Sequence, residues 1–375
     1  MSSVLKIYDI PLISFEMRNQ GLDGFTTKIL DYDASKRHLF PLDLLPESTS
    51  LTHWLKRRVI PKNRAYVHQT LKQLNLSIND TKGIIEASKG LSLNDSYWIV
   101  PADFSGSFGE YNLYENPFSD ALSLVAYTGH GVSEQTFTIS PELTTDGMLP
   151  KAWRHIDGEI SLWKGCSYGS DITGMEPYSE FYAAQIAETM GLNHVDYGLR
   201  QWKGSLCSVC PLFTDINTAY IPIGRIAKKG GLNAVLQYYQ KLSEEAYQEV
   251  CSMLMMDAVI YNNDRHFGNF GVLRDNRSGK VSAAAPIFDN GRSLFSHVKD
   301  SELNHLESYA RASFSATGIS HDEIAKFVMG TNQKAQLHKL VGFEFALHPS
   351  YNWTVKRKKG IEQFLQERVK LLLEL

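Results

Sequence analysis

The segment Glu244 to Tyr261, EEAYQEVCSMLMMDAVIY, constrains this chain most, because after its first turn it is apolar nearly all round. A helix of that kind has no face to give to water, so other elements must enclose it. With 375 residues, 43% of them hydrophobic, the chain has the material to do so. At roughly 150 residues per domain, two to three domains or lobes are expected. A helix held on all sides also gives a rigid support to the loop that follows it.

The rest of the chain divides by period. Residues 4–30 read as short β segments (VLKIY, PLISFEM, FTTKILDY) broken by Pro11, Gly21 and Gly24. Leu51, Trp54 and Leu55, then Tyr66, Val67, Leu71 and Leu74, carry helical spacings on either side of Pro61. Leu91 to Gly131 is turn-rich and reads as a boundary region. A β-like block follows, QTFTIS (135–140), EISLWKG (159–165) and SLCSVCPLF (205–213), interrupted by a helix from Ser179 to Met190 that Gly191 would cap. Beyond Thr214 the pattern is mostly helical. Ser320 to Glu323 forms a capping box, and 360–375 is amphipathic. A β-rich block followed by a helical block predicts an α+β protein of two lobes.

Composition excludes several classes. A formal net charge of −3 argues against a dedicated nucleic-acid binder and against a polybasic membrane-surface protein. Four cysteines make no disulfide framework. Asp9 and Glu16 interrupt the only apolar stretch of the N-terminus, so a signal peptide is not expected there. No window approaches 18 uninterrupted apolar residues, and a cytoplasmic protein without a membrane span is the expectation.

The chemistry lies just after the buried helix. Asn262-Asn-Asp-Arg-His-Phe-Gly-Asn269 is followed, 22 residues after Asp264, by Pro286-Ile-Phe-Asp-Asn-Gly291. Phosphoryl transfer from a nucleotide needs a carboxylate to orient the acceptor hydroxyl, oxygen ligands for magnesium and a cation on the phosphates. Asp264 and Asn269 place a carboxylate and an amide oxygen on one short loop, at the offset found in protein-kinase catalytic loops. Asp289, after an apolar strand and before Asn290-Gly291, supplies a second carboxylate for the metal. Either segment alone also reads as a polar turn. Their order and spacing together carry the assignment. His266 is expected to hold the loop by hydrogen bonds rather than to act as base or ligand. Lys164, on a strand ending in glycine, is the candidate phosphate cation.

Asp-Arg-His-x-x-Asn followed by an apolar strand and Asp-x-Gly resembles the HipA-like serine/threonine kinases of bacteria and, more distantly, the phosphoinositide kinases. The resemblance extends upstream. Ser140-Pro-Glu-Leu-Thr-Thr-Asp-Gly-Met-Leu-Pro-Lys151 occupies the place of that family's phosphate-covering loop, which would bring Ser140, Thr144, Thr145 and Gly147 to the nucleotide. Leu162-Trp-Lys-Gly165 resembles the strand of the ATP-binding lysine, and Glu180 would face Lys164 from the next helix. Val209 to Phe213 would be the hinge whose backbone meets adenine. What the resemblance implies is a bilobal protein-kinase-like fold: an added N-terminal α/β region over 1–130, an N-lobe over 131–213 and a helical C-lobe over 214–375. It also implies ATP and magnesium as cofactors and a protein substrate carrying serine or threonine. Autophosphorylation in the covering loop and a small DNA-binding antitoxin as partner belong to the same implication. The residues leave open a lipid or small-molecule kinase on this scaffold, or a silent partner-binding pseudokinase. A lipid kinase would want a basic groove near Asp264, which the net charge does little to supply. A decayed site usually loses one of Lys164, Asp264, Asn269 and Asp289, and all four are present.

Other motifs carry less. Cys207-Ser-Val-Cys210 has CxxC spacing, but a structural zinc needs four ligands and the segment reads as a strand. The basic runs Lys56 to Arg58 and Lys356 to Lys359 are isolated and read as solvated faces. Gly129-His-Gly131 begins a dinucleotide fingerprint that Glu134 ends.

Overall fold

A computed structural model describes residues 2–20, 24–133, 138–167 and 173–375. The chain packs as two compact units, each built from separate stretches. The first holds Met1–Lys164, Leu212–Ile221 and Leu273–Ser282. The second holds Gly165–Pro211, Pro222–Val272 and Ala283–Leu375.

The first unit opens with β1 (Ser2–Ile7), β2 (Ile10–Gln20) and β3 (Gly24–Tyr32), which with β4 (Tyr97–Pro101) make an antiparallel sheet ordered β3-β2-β1-β4. Alternation sets its faces: Ser3, Leu5 and Ile7 of β1 are buried while Ser2, Val4 and Lys6 are half-buried. Helices α1 (Ser48–Lys56), α2 (Val67–Lys72) and α3 (Thr81–Ser88) follow. Leu51, Trp54 and Leu55 of α1 pack with Leu5, Ile7 and Phe15 in one core. Pro11 does not break β2. It sits where the pairing of β1 and β2 shifts register, a place where a strand tolerates a residue without an N–H.

The region 91–131, expected as a boundary, is a packed part of this unit. It contains β4, α4 (Phe108–Tyr111) and α5 (Asp120–Thr128). Its prolines and glycines end elements rather than preventing them: Pro101 closes β4 and Gly129, at φ 74°, caps α5. Tyr97 and Ile99 join the core against α1, while Trp98 and Val100 join a second core with Phe108, Leu113 and Phe118. One strand therefore serves two cores.

Of the expected strand QTFTIS, the described residues Thr138 to Ser140 are not in a strand. Gln135 to Phe137 lie outside the described residues, and Ser140 instead caps a 3-10 turn, Pro141–Leu143. The strand comes later, as β5 (Lys151–Ile156), paired with β6 (Glu159–Lys164) through Asp157 and Gly158, both at positive φ as a tight hairpin requires.

The second unit begins with α6 (Glu176–Met190), ended by Gly191 at φ 76°. The hairpin of β7 (Gly198–Trp202) and β8 (Ser205–Pro211) follows, with Cys207 and Cys210 buried on β8. The region beyond Thr214 was expected to be mostly helical, yet it contains the short strands β9 (Thr218–Pro222), β10 (Gly271–Asp275) and β11 (Val281–Ala284). Its helices are α7 (Ile223–Ile226), α8 (Gly231–Leu242), α9 (Glu244–Ile260), α10 (Leu306–Ala312), α11 (His321–Val328), α12 (Thr331–His338) and α13 (Val355–Leu373). Helix α9 is the all-apolar segment, and α8, α11, α12 and α13 pack around it, as its sequence demands. Among the described residues no helix is long and apolar enough to cross a membrane.

Candidate active site

Helix α9 ends at Tyr261, whose left-handed backbone (φ 51°) turns the chain while its N–H still reaches the Asp257 carbonyl. The side chain of Asn262, fully buried, then organises the next residues. Its amide donates to Asp257 Oδ1 at 3.1 Å and its oxygen accepts the N–H of Asp264 at 3.1 Å. Asp264 is half-buried on the loop so formed, and its carbonyl accepts the backbone N–H of His266 at 2.8 Å.

The side-chain nitrogen of Asn269 donates to that same carbonyl at 3.0 Å. This leaves the amide oxygen, the atom a hard cation would use, free of that bond. The His266 ring is exposed, and its Nδ1 accepts the N–H of Gly268 at 3.0 Å, a hydrogen bond within the turn.

The strand expected just before Asp289 is not formed: β11 stops at Ala284 and only Ile287 makes an isolated bridge, to His194. Asp289 adopts an uncommon conformation, φ 57°, which aspartate tolerates better than most residues. Two groups hold it there. The Tyr197 hydroxyl accepts the Asp289 N–H at 3.1 Å, and Glu180, fully buried on α6, accepts the N–H of Asn290 at 2.7 Å. Burial first, and the Glu180 carboxylate second, hold the Tyr197 hydroxyl well above its usual range, so it stays protonated.

The residue that joins these pieces is Arg265, which the sequence reading passed over. It is buried and uses all five N–H donors. Nε and Nη2 reach the two oxygens of Asp257 at 3.0 and 3.1 Å, and Nη1 reaches the Asn269 carbonyl at 3.0 Å. Its remaining two donors go to the Phe288 carbonyl and Asn290 Oδ1. One guanidinium thus fastens the end of α9, the 264–269 loop and the 288–290 turn together. Burial works against its charge, but the surrounding carboxylates, Asp257 first and then Asp289 and Glu180, together raise its pKa. A signal for it existed: Asp257 is the one carboxylate in the apolar run Val250 to Tyr261, and a buried charge demands a counter-charge.

In the first unit, Ser140 is fully buried, its hydroxyl accepting the Glu142 N–H at 3.3 Å. The Thr144 hydroxyl donates to the Leu91 carbonyl at 2.7 Å, and half-buried Thr145 donates to the Pro141 carbonyl at 2.7 Å. Gly147 sits at φ 92°, a backbone conformation that favours glycine, and an added Cβ there would meet only the flexible end of the Lys151 side chain. Lys164 ends β6 directly opposite Lys151 of β5, and only 8% and 7% of the two residues is exposed. Like charges opposite each other are unfavourable unless neighbouring groups offset them, and the Lys151 ammonium donates to the Asp146 carbonyl at 2.6 Å. Val209 lies on β8 opposite Gly198, and Phe213 meets Tyr220 edge to face at 5.5 Å.

Asn269 and Asp289 are an amide and a carboxylate of the kind magnesium takes, since it keeps several waters and completes its shell with phosphate oxygens. Among the described residues no three His, Cys, Asp or Glu side chains converge as a metal site. The donor set therefore fits magnesium on a nucleotide better than a transition metal.

No protein-family profile matches the chain. Over 156 residues it is 29% identical to the serine/threonine-protein kinase CtkA of Helicobacter pylori, covering 38% of this chain and 44% of that protein. The chain thus matches less than half the length of this curated relative. The crystal structure of CtkA superposes with a TM-score of 0.47 at 18% identity over 60% of this chain. A chain of the Shewanella oneidensis MR-1 toxin–antitoxin complex of HipA, HipB and operator DNA superposes with a TM-score of 0.56 at 11% identity. That superposition covers 100% of this chain and 99% of that one. The fold is kinase-like.

Proposed function

From its likeness to the HipA-like serine/threonine kinases, we propose that this chain transfers the γ-phosphoryl group of ATP to a serine or threonine hydroxyl of a protein. The observation that carries the reading is the Arg265 network, which sets Asp264, Asn269 and Asp289 on one rigid platform. Asp264 orients the acceptor hydroxyl and takes its proton. Asn269 and Asp289 would hold magnesium, which when bound would neutralise charge on the phosphates. Lys164, with Glu180 as its partner carboxylate, holds phosphate oxygens. The loop from Ser140 to Lys151, with Thr144, Thr145 and Gly147, covers the phosphates, and the backbone of Val209 to Phe213 meets adenine. In this reading 131–213 is the N-lobe, 214–375 the C-lobe and 1–130 an accessory region.

By analogy with the HipA–HipB assembly from Shewanella, a small DNA-binding antitoxin is the proposed partner, and a cytoplasmic location goes with it. The chain itself is not proposed to contact nucleic acid. The test is incubation with labelled ATP, magnesium and a cell lysate, beside the Asp264→Ala variant. Label on protein serine or threonine with the native chain only is expected. Equal labelling by both proteins overturns the reading.

A further inference from the structure

The covering loop is gripped from a distant part of the same unit. Residues 60–65, between α1 and α2, run alongside it. The Ile60 N–H donates to the Leu143 carbonyl at 2.7 Å and the Ala65 N–H to the Met148 carbonyl at 2.8 Å. Between these two bonds the Arg64 guanidinium enters the loop. Nη1 donates to the carbonyls of Glu142 and Thr145 at 3.0 and 3.2 Å, and Nη2 to the Lys151 carbonyl at 2.8 Å. Nη2 also pairs with the Glu142 carboxylate, whose other oxygen accepts the Trp153 N–H at 2.7 Å. Both side chains of the pair are fully buried.

A buried ion pair is a poor way to gain stability, since apolar residues of the same volume would often do as well. It does fix geometry. Three carbonyls facing one planar cation allow the loop a single course, and the third belongs to Lys151. That residue stands opposite Lys164, and its ammonium returns to the Asp146 carbonyl at 2.6 Å.

We propose that Arg64 is a positioning residue for the nucleotide phosphates: it acts through the Glu142–Lys151 backbone and touches no substrate itself. The proposal rests on the kinase reading. It makes the N-terminal region part of the ATP site's control, because whatever displaces residues 60–65 releases the loop.

The experiment compares the native chain with Arg64→Lys, which keeps the charge and loses the planar fork, and with Glu142→Gln, which keeps the volume and loses the charge. In the native chain without nucleotide, amides of 142–153 should exchange as slowly as those of the β1–β4 sheet. Each variant should speed that exchange. Each should also raise KM for ATP about tenfold or more, with turnover at saturating ATP little changed, because loss of positioning on the phosphates weakens binding while Asp264 is untouched. Fast exchange in the native loop overturns the proposal, a result available even if both variants fail to fold. Unchanged KM in folded variants also overturns it. A native chain that ATP does not stabilise would instead sink the kinase reading, leaving the exchange result to judge the clamp alone.

Discussion

Asp257 and Arg265 meet in two hydrogen bonds of 3.0 and 3.1 Å, joining the last turn of a helix enclosed on all sides to the loop that follows it. The helix supplies the fixed frame and the arginine transmits it to Asn269, Phe288 and Asn290.

Removing one partner of this pair strands a buried charge, which costs about 3–5 kcal/mol. Arg265→Met should lower stability by that amount in denaturant unfolding. Arg265→Lys, unable to use the planar fork, should fall between the variant and the native chain. A loss below about 1 kcal/mol for Arg265→Met would show that the network is not holding the loop.

Asp264→Ala should cut phosphoryl transfer by about 10²–10⁴-fold, the range of general-base contributions, and leave ATP binding nearly unchanged. If Asp264 only shaped the turn, stability would drop by about 0.5–2 kcal/mol with turnover spared. Turnover and ATP-induced stabilisation, measured together, separate the two.

Asp289→Asn should abolish most magnesium-dependent activity without unfolding the chain. Asparagine tolerates the left-handed backbone of this position as well as aspartate does, but lacks the charge a divalent cation needs. A magnesium titration that superimposes on the native one would move the metal elsewhere.

Within the covering loop, Thr145 is the expected site of self-phosphorylation. Ser140 and Thr144 are both buried, whereas Thr145 is half-buried and its hydroxyl bonds only within the loop, to the Pro141 carbonyl. A phosphate there adds about −1.5 to −2 charges beside the ATP phosphates, so activity should limit itself. Mass spectrometry after incubation with ATP should find the group on Thr145. An unmodified 138–151 peptide removes the idea.

His321 predicts an acid limb of stability. Burial first, then the Arg368 charge, lowers its pKa to about 4, and among the described residues its Nε2 has no hydrogen-bond partner. The unfolded chain takes up a proton near pH 6.5 that the folded chain refuses until about 4. Stability is therefore intact above pH 6.5 and falls as pH drops toward 4, by as much as about 3 kcal/mol. His321→Phe should flatten that limb. Parallel pH–stability curves for the two proteins would contradict the assignment.

Much of the site could be read from the chain because its parts are local. Asp264, His266 and Asn269 share one loop, and helix α9 announced itself by lacking a polar face. What escaped was non-local. Arg265 looked like a loop residue because its partners, apart from Asn269, lie 8, 23 and 25 positions away. Tyr197 reaches Asp289 across 92 positions, and Arg64 reaches Lys151 across 87. The misreading of 91–131 has the same origin. Prolines and glycines mark the ends of elements, and whether a short run such as Tyr97-Trp-Ile-Val is a strand depends on β1 beside it.

The alternation of the chain between its two units bears on how such a protein can be divided or recombined. The chain passes from one to the other five times, at 164/165, 211/212, 221/222, 272/273 and 282/283. The Tyr8 hydroxyl bonds the Ile216 carbonyl, and Arg274, fully buried, bonds Tyr97 and the His38 carbonyl, so the late segments are integral to the first unit. A gene fragment ending at 164 would encode that unit without the strands it closes on. Swapping the N-terminal region between relatives by a single crossover would leave two short stretches behind in the recipient, each shaped to a partner no longer there.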